Sequence, residues 1–163
     1  MTEKPLAVAI AALIKDNRIL LIKRKRGDYP GMLGLPGGKI EKNEHLNETA
    51  VREILEETGI ESEFKEYLGI VSEHLTENNQ ILQHFLLHIC ELEPKTTEIL
   101  NDSEGTSEWI LLKELEKIRE KIIPSDFLII EKIVNNRHSK EAKKHYNCIM
   151  EKNGNQYFLK KFL

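Results

Sequence analysis

An α/β fold is expected from three features of this 163-residue chain. Apolar runs of strand length recur at Leu6 to Ile14, Ile19 to Arg24 and Ile81 to Leu92. Between them Glu44 to Thr58, free of Gly and Pro, carries apolar residues at helical spacing, and Pro124 to Asn135 repeats that pattern. A hydrophobic content of 40% with 31% charged residues suits one globular domain with its own core, not a disordered segment. The net charge of −3 gives no basic footprint for duplex nucleic acid but leaves free nucleotides as possible ligands. Cys90 and Cys148 form no CxxC pair and fit a reducing cytoplasm, as small buried hydrophobes.

Leu6 to Ile14 is too short for a membrane span, which needs roughly 20 residues. With polar Lys15 to Arg18 and a second run, Ile19 to Arg24, directly after it, the segment reads as the first arm of a hairpin and not as a targeting signal. Lys23 to Arg26 are four consecutive cations, either a solvated strand end or a phosphate contact. Gly27 to Gly34, with Pro30, is expected to be a mobile loop beside a pocket entrance. Leu35-Pro36-Gly37-Gly38-Lys39 reads as a backbone-exposing loop ending near the helix start, where amides and the helix dipole favour a phosphate chain.

The helix from Glu44 to Thr58, stopped by Gly59, is expected to bury Ala50, Val51, Ile54 and Leu55. It places Glu53, Glu56 and Glu57 at i, i+3 and i+4, on one arc of its surface. Three like charges there repel and should raise the pKa of at least one, whereas Mg²⁺ or Mn²⁺ would use the same oxygens as hard ligands. Phe64 to Ser72 and Ile81 to Leu92 read as strands joined by a polar connection, His74 to Gln80. His74, His84 and His88 are read as structural, not as a metal site. After a polar stretch, Glu93 to Thr106, come a strand (Trp109 to Leu112) and a charged helix (Lys113 to Lys121). The helix Pro124 to Asn135 follows, with Ser125 as its cap and Phe127, Ile130 and Val134 facing the core. Residues 136–163 form a C-terminal extension packed on a domain of residues 1–135: a basic patch, Arg137 to Lys144, then a hairpin signalled by Asn153-Gly154. It could cover a sheet edge, support a homodimer or close over the pocket.

The spacing Gly38, five residues, Glu44, seven residues, Arg52-Glu53-Ile54, one residue, Glu56-Glu57, one residue, Gly59-Ile60 resembles the Nudix box with every fixed position filled. The resemblance implies a Nudix fold, an α/β/α sandwich around a mixed β-sheet. It also implies hydrolysis of a pyrophosphate bond in a nucleoside diphosphate linked to a further group, with Mg²⁺ as cofactor and Mn²⁺ able to substitute. Carried onto this chain, it implies metal-binding carboxylates at Glu53, Glu56 and Glu57, with Gly38 at the metal site. Arg52 is then the arginine that orients the acids, Glu44 the outer glutamate, and Lys39 and Arg24 phosphate contacts.

Glu104, ahead of Glu108-Trp109, is similar to an extra glutamate of MutT-like members, although the spacing is one residue shorter. It is the expected further metal ligand or the base that activates water, with Glu98 as fallback. Asp126 falls where purine-nucleotide members place a base-reading residue; otherwise it is an acid favoured by a helix N-terminus. The family commonly has Trp where this chain has Gly34 or Leu35, a departure that bears on packing. The expected substrate is a purine nucleoside triphosphate, oxidised or not, such as 8-oxo-dGTP, giving nucleoside monophosphate and pyrophosphate. The alternatives are ADP-ribose or a nucleotide sugar, for which a marker proline about 15 residues past the box is replaced by Leu75 and Thr76, and a non-catalytic nucleotide-binding module. The expected location is cytoplasmic, without a membrane partner.

Overall fold

The structure, a computed structural model, describes residues 4–100 and 105–163. Its elements run β1 (Leu6–Lys15), β2 (Arg18–Arg24), β3 (Leu33–Gly34), β4 (Gly37–Lys39), α1 (Leu46–Thr58), β5 (Ser62–Glu77), β6 (Gln80–Pro94) and β7 (Gly105–Leu111). A run of 3₁₀ turns at Leu112–Lys121 leads to α2 (Pro124–Ile129), which continues as a π turn at Ile130–Val134; β8 (His145–Asn153) and β9 (Gln156–Phe162) close the chain. The strand order is β3-β2-β1-β6-β5-β8-β9, with β4 added to β1 and β7 to β2. The sheet is mixed, since β1 runs parallel to β6 and β5 parallel to β8 while the other pairs are antiparallel.

Strand β1 shows why the sandwich has two cores. Its side chains alternate across the sheet. Ala9, Ala11 and Leu13 pack with Ala50, Ile54 and Ile60 on the α1 side, while Ile10, Ala12 and Ile14 join Phe127, Ile130 and Ile133 on the α2 side. A strand covered on both faces has no need of polar alternation, which is the physical origin of the continuous apolar run.

Several elements differ from the sequence expectation. Helix α1 begins at Leu46, because Glu48 turns back to accept the His45 N–H at 2.7 Å and closes the first turn locally. The anion-favouring helix start is therefore served by the chain's own acid. The helix is also rolled: Thr49, Ala50, Ile54, Glu57 and Thr58 are buried, and Leu55 is 47% exposed. Residues 74–77 are strand, and the connection shrinks to Asn78-Asn79, both with positive φ (51° and 64°), a conformation Asn tolerates in tight hairpin turns. Residues 112–121 wind as 3₁₀ turns interrupted at Ile118. Ser125 is not a cap; Ile123 holds that position with Pro124 in the first turn, and Ser125 is buried beside Glu73.

The last 19 residues extend the sheet. Strand β8 lies along the outer edge of β5 from Ile70 to Thr76, and β9 folds back on β8. Cys148, Met150 and Phe162 enter the same core as α2. Arg137, from the basic patch, reaches the buried carboxylate of Glu91 on β6 at 3.2 Å, so part of that patch ties the extension down. Met150 is fully buried. Met150→Ala should lower unfolding free energy by about 3 kcal/mol in urea melts monitored by circular dichroism, with one transition for the whole chain.

Candidate active site

The site starts from two glycines at which even a methyl group would be crowded. A Cβ on Gly37 would lie 2.3 Å from the Ala9 carbonyl, and one on Gly38 would lie 2.1 Å from Glu53 Oε1. These glycines form strand β4 against β1, not an open anion-binding loop, and their bareness lets the Glu53 carboxylate rest on the strand backbone.

Arg52 organises the acids around it. Its Nε and Nη2 grip Glu44 at 2.5 and 3.0 Å, a two-pronged geometry that matches guanidinium to carboxylate. Its Nη1 donates to Glu53 at 2.9 Å and to Glu56 at 3.2 Å, and Nη2 reaches the Lys39 carbonyl at 3.4 Å. Thr49 Oγ1 adds a 2.7 Å bond to Glu44. Bonds from Arg52 and Thr49 hold the Glu44 carboxyl at about 2, below the ordinary glutamate range, and the acids in turn hold the guanidinium proton more firmly.

Glu53, Glu56 and Glu57 line one side of a cleft whose other side carries Arg24, Lys25, Arg26 and Lys39. Hard carboxylate oxygens backed by a bare glycine strand fit a divalent cation. Among the described residues, no three acidic, imidazole or thiol groups already converge on one metal-sized point, because Arg52 draws Glu53 and Glu56 to itself.

This cleft opens into a cavity of about 660 Å³. Arg24, Leu35, Gly37 and Lys39 line both. Val8, Leu75, Phe85 and Leu87 supply apolar walls to the cavity; its polar groups include Tyr29, Glu73, Gln83 and Asp126. Asp126 is buried and accepts the Leu35 N–H at 2.8 Å. A Cβ on Gly34 would lie 2.8 Å from this carboxylate, so a glycine there leaves room for the contact. Burial, reinforced by nearby Glu73, pushes Asp126 up to about 7. Arg24 is exposed, with its Nε on the Asp28 carbonyl at 2.8 Å.

The sequence-derived site residues Gly38, Lys39, Arg24, Arg52, Glu53, Glu56, Glu57 and Asp126 thus border two connected spaces or support them. Glu104 lies outside the described residues. Glu98 is exposed and does not line the acidic cleft.

The NUDIX domain family model matches residues 3–131. The chain belongs to the Nudix family. An ADP-ribose pyrophosphatase of Methanocaldococcus jannaschii is 51% identical over 67 residues, 40% of this chain and 40% of that protein. Human nucleoside diphosphate-linked moiety X motif 6 is 35% identical over 112 residues, 68% of this chain and 35% of that protein. These alignments span less than half the length of either relative. A Nudix hydrolase structure from Nitrosomonas europaea superposes with a TM-score of 0.72 at 23% identity, covering 93% of this chain and 82% of that one, and so shares its fold.

Two polar groups of the cavity, Tyr29 and Glu73, carry no motif in the sequence. Tyr29 sits in a glycine-rich loop and Glu73 in an ordinary strand; neither belongs to the box. Tyr29 is buried with a left-handed φ of 60°, uncommon for a bulky residue, and its hydroxyl donates to Glu73 Oε1 at 3.2 Å. The loop expected to be mobile is thereby anchored. Its only advance signal was the glycine on either side of an aromatic residue.

The Glu44–Arg52 pair carries a pH signature. A carboxyl whose folded pKa is depressed adds stability above its unfolded value, about 4.3, and that increment fades as pH falls towards 2. Glu44→Gln should therefore be less stable than the parent in urea at pH 7, with the gap narrowing from pH 5 to pH 3.

Proposed function

We propose that this protein is a Mg²⁺-dependent hydrolase of a purine nucleoside triphosphate, oxidised or not, such as 8-oxo-dGTP, giving the nucleoside monophosphate and pyrophosphate. The observation that carries this reading is the shared border of the two spaces. An acidic cleft suited to a cation on phosphates joins a larger, mostly apolar cavity suited to a flat base, and Arg24 and Lys39 stand at the junction.

Nudix hydrolases generally use divalent cations, and a Mg²⁺ or Mn²⁺ bound by Glu53, Glu56 and Glu57 beside Gly38 would neutralise phosphate charge and acidify attacking water. The protein's own groups do the rest. Lys39 and Arg24 hold the phosphate chain and orient the bond to be broken, which keeps reacting atoms within reach of each other. Arg52 is a positioning residue: anchored on Glu44 by its fork, it holds Glu53 and Glu56 through Nη1 before substrate arrives. A carboxylate of the box, or Glu104, takes the proton that water loses as its oxygen bonds phosphorus and the anhydride bond between the α- and β-phosphates breaks. Asp126, on the cavity wall beside Leu35, faces the base.

ADP-ribose is the second reading, favoured by the 51% identity to the archaeal ADP-ribose pyrophosphatase. The matched stretch covers 40% of this chain. A panel of 8-oxo-dGTP, dGTP, ADP-ribose and diadenosine tetraphosphate, assayed with and without Mg²⁺, separates the cases. Pyrophosphate from a triphosphate supports the first reading, AMP from ADP-ribose the second, and no turnover a binding module. With the active substrate, Glu56→Gln and Glu57→Gln should each lower kcat by about 10²-fold or more without loss of fold. Gly38→Ala meets only the tip of a flexible acid, so it should fold, yet lose at least about tenfold in kcat/KM by displacing Glu53.

A further inference from the structure

Glu73 is the charged-type residue that neither the box nor the fold accounts for. It stands in β5 among core residues, flanked by Val71 and Leu75 on the same face, and is 3% exposed. An acid at such a place costs stability unless something uses it. Tyr29 is held in a left-handed backbone to bond its Oε1. The Ser125 hydroxyl from α2 and the Cys148 thiol from β8 stand beside it. Its Oε2 is buried and makes no well-formed hydrogen bond among the described residues. Asp126 lines the same cavity, and the two acids feel each other electrostatically. One oxygen of Asp126 is taken by the Leu35 N–H, leaving the other for a ligand.

Beyond Tyr29, Ser125 and Cys148 around Glu73 and the Leu35 amide on Asp126, further donors would come from what enters the cavity. The apolar walls around them favour a flat ring, and Phe85 offers a face for stacking. We propose that Glu73 is a specificity-determining residue which, with Asp126, selects a base presenting adjacent ring N–H and exocyclic NH₂ donors, the edge found on a guanine-type purine. This rests on reading the larger cavity as the seat of the substrate's organic group.

Two consequences follow from the chemistry. A base with both donors gains a charge-assisted hydrogen bond over one lacking the exocyclic amine, about tenfold or more in affinity. The preference also grows with pH, because the acids accept N–H bonds best when ionised and burial raises both. The ionisable groups facing them are Tyr29 and Asp28 from the loop after β2, Arg24 from β2, and Cys148 from β8; Arg24 opposes the rise at Asp126. The thiol and the tyrosine hydroxyl are pushed upward by burial and stay neutral from pH 6 to 8.

The test is calorimetric titration of the whole chain, in EDTA, with dGMP and with dIMP, which lacks only the exocyclic amine. Product binding without metal does not depend on turnover, so it stands or falls apart from the hydrolysis panel. The expected result is a dGMP preference of about tenfold that increases from pH 6 to pH 8; the ratio cancels the phosphate's own ionisation. Glu73→Gln, similar in shape but carrying a donor amide, should bring the ratio to within about threefold. Equal affinities in the wild type, a ratio flat or falling with pH, or a preference intact in Glu73→Gln would overturn the assignment. If Glu73→Gln fails to fold, the wild-type ratio and its pH trend decide.

Discussion

Two missing side chains set the distance between helix and sheet. Because Gly37 and Gly38 carry no Cβ, β4 lies flush against β1 while Glu53 from α1 rests on its outer surface. That approach brings Arg52 within reach of the Lys39 carbonyl and makes one guanidinium the common partner of Glu44, Glu53 and Glu56. Any bulk at Gly38 would move the acid cluster relative to the cations at the edge of β2 and β4. The geometry of the cleft is thus a backbone property expressed through side chains.

The two connected spaces treat their acids differently. In the cleft, Arg52 offsets part of the charge of Glu44, Glu53 and Glu56 in place, while Glu57 is buried. In the cavity, Glu73 and Asp126 are buried among hydrocarbon, with hydroxyls and a single backbone amide as their main company. Burying acids in this way is unfavourable by itself, and the hydrogen bonds from Tyr29 and the Leu35 amide offset part of the cost. The C-terminal hairpin packs beside these groups. Cys148 flanks Glu73, and the Tyr157 ring lies 4.3 Å from that of Tyr29. Residues past the matched family segment therefore back Tyr29 and Glu73, which line the cavity. Among the described residues, no helix is long and apolar enough to cross a membrane.

Much of the architecture was readable in one dimension. The apolar runs announced β1 and β2, since strands buried on both faces need no polar alternation, and the more broken run of β6 was still legible as a strand. Gly59 marked the end of α1, where it adopts φ 75° and returns its N–H to Leu55. The box motif located the acids and their arginine because all lie within a few helical turns, where spacing alone dictates direction. Reading failed where the outcome depended on distant partners. Leu55 looked like a core residue by its period, but the packed helix leaves it exposed and buries Glu57 instead. Ser125 looked like a cap, yet its hydroxyl is drawn to an acid on another strand.

By itself the sequence determined the family, the main strands and helices, and the arc of carboxylates on α1, since each of these depends on local periodicity and short-range spacing. Only the tertiary structure decided that Tyr29, Glu73 and Asp126, separated by tens of residues, meet at the wall of one cavity. It alone also turned the last hairpin into a neighbour of that wall. The reason is physical: strand pairing and core packing bring remote residues together, and no local pattern records which remote residue will stand opposite.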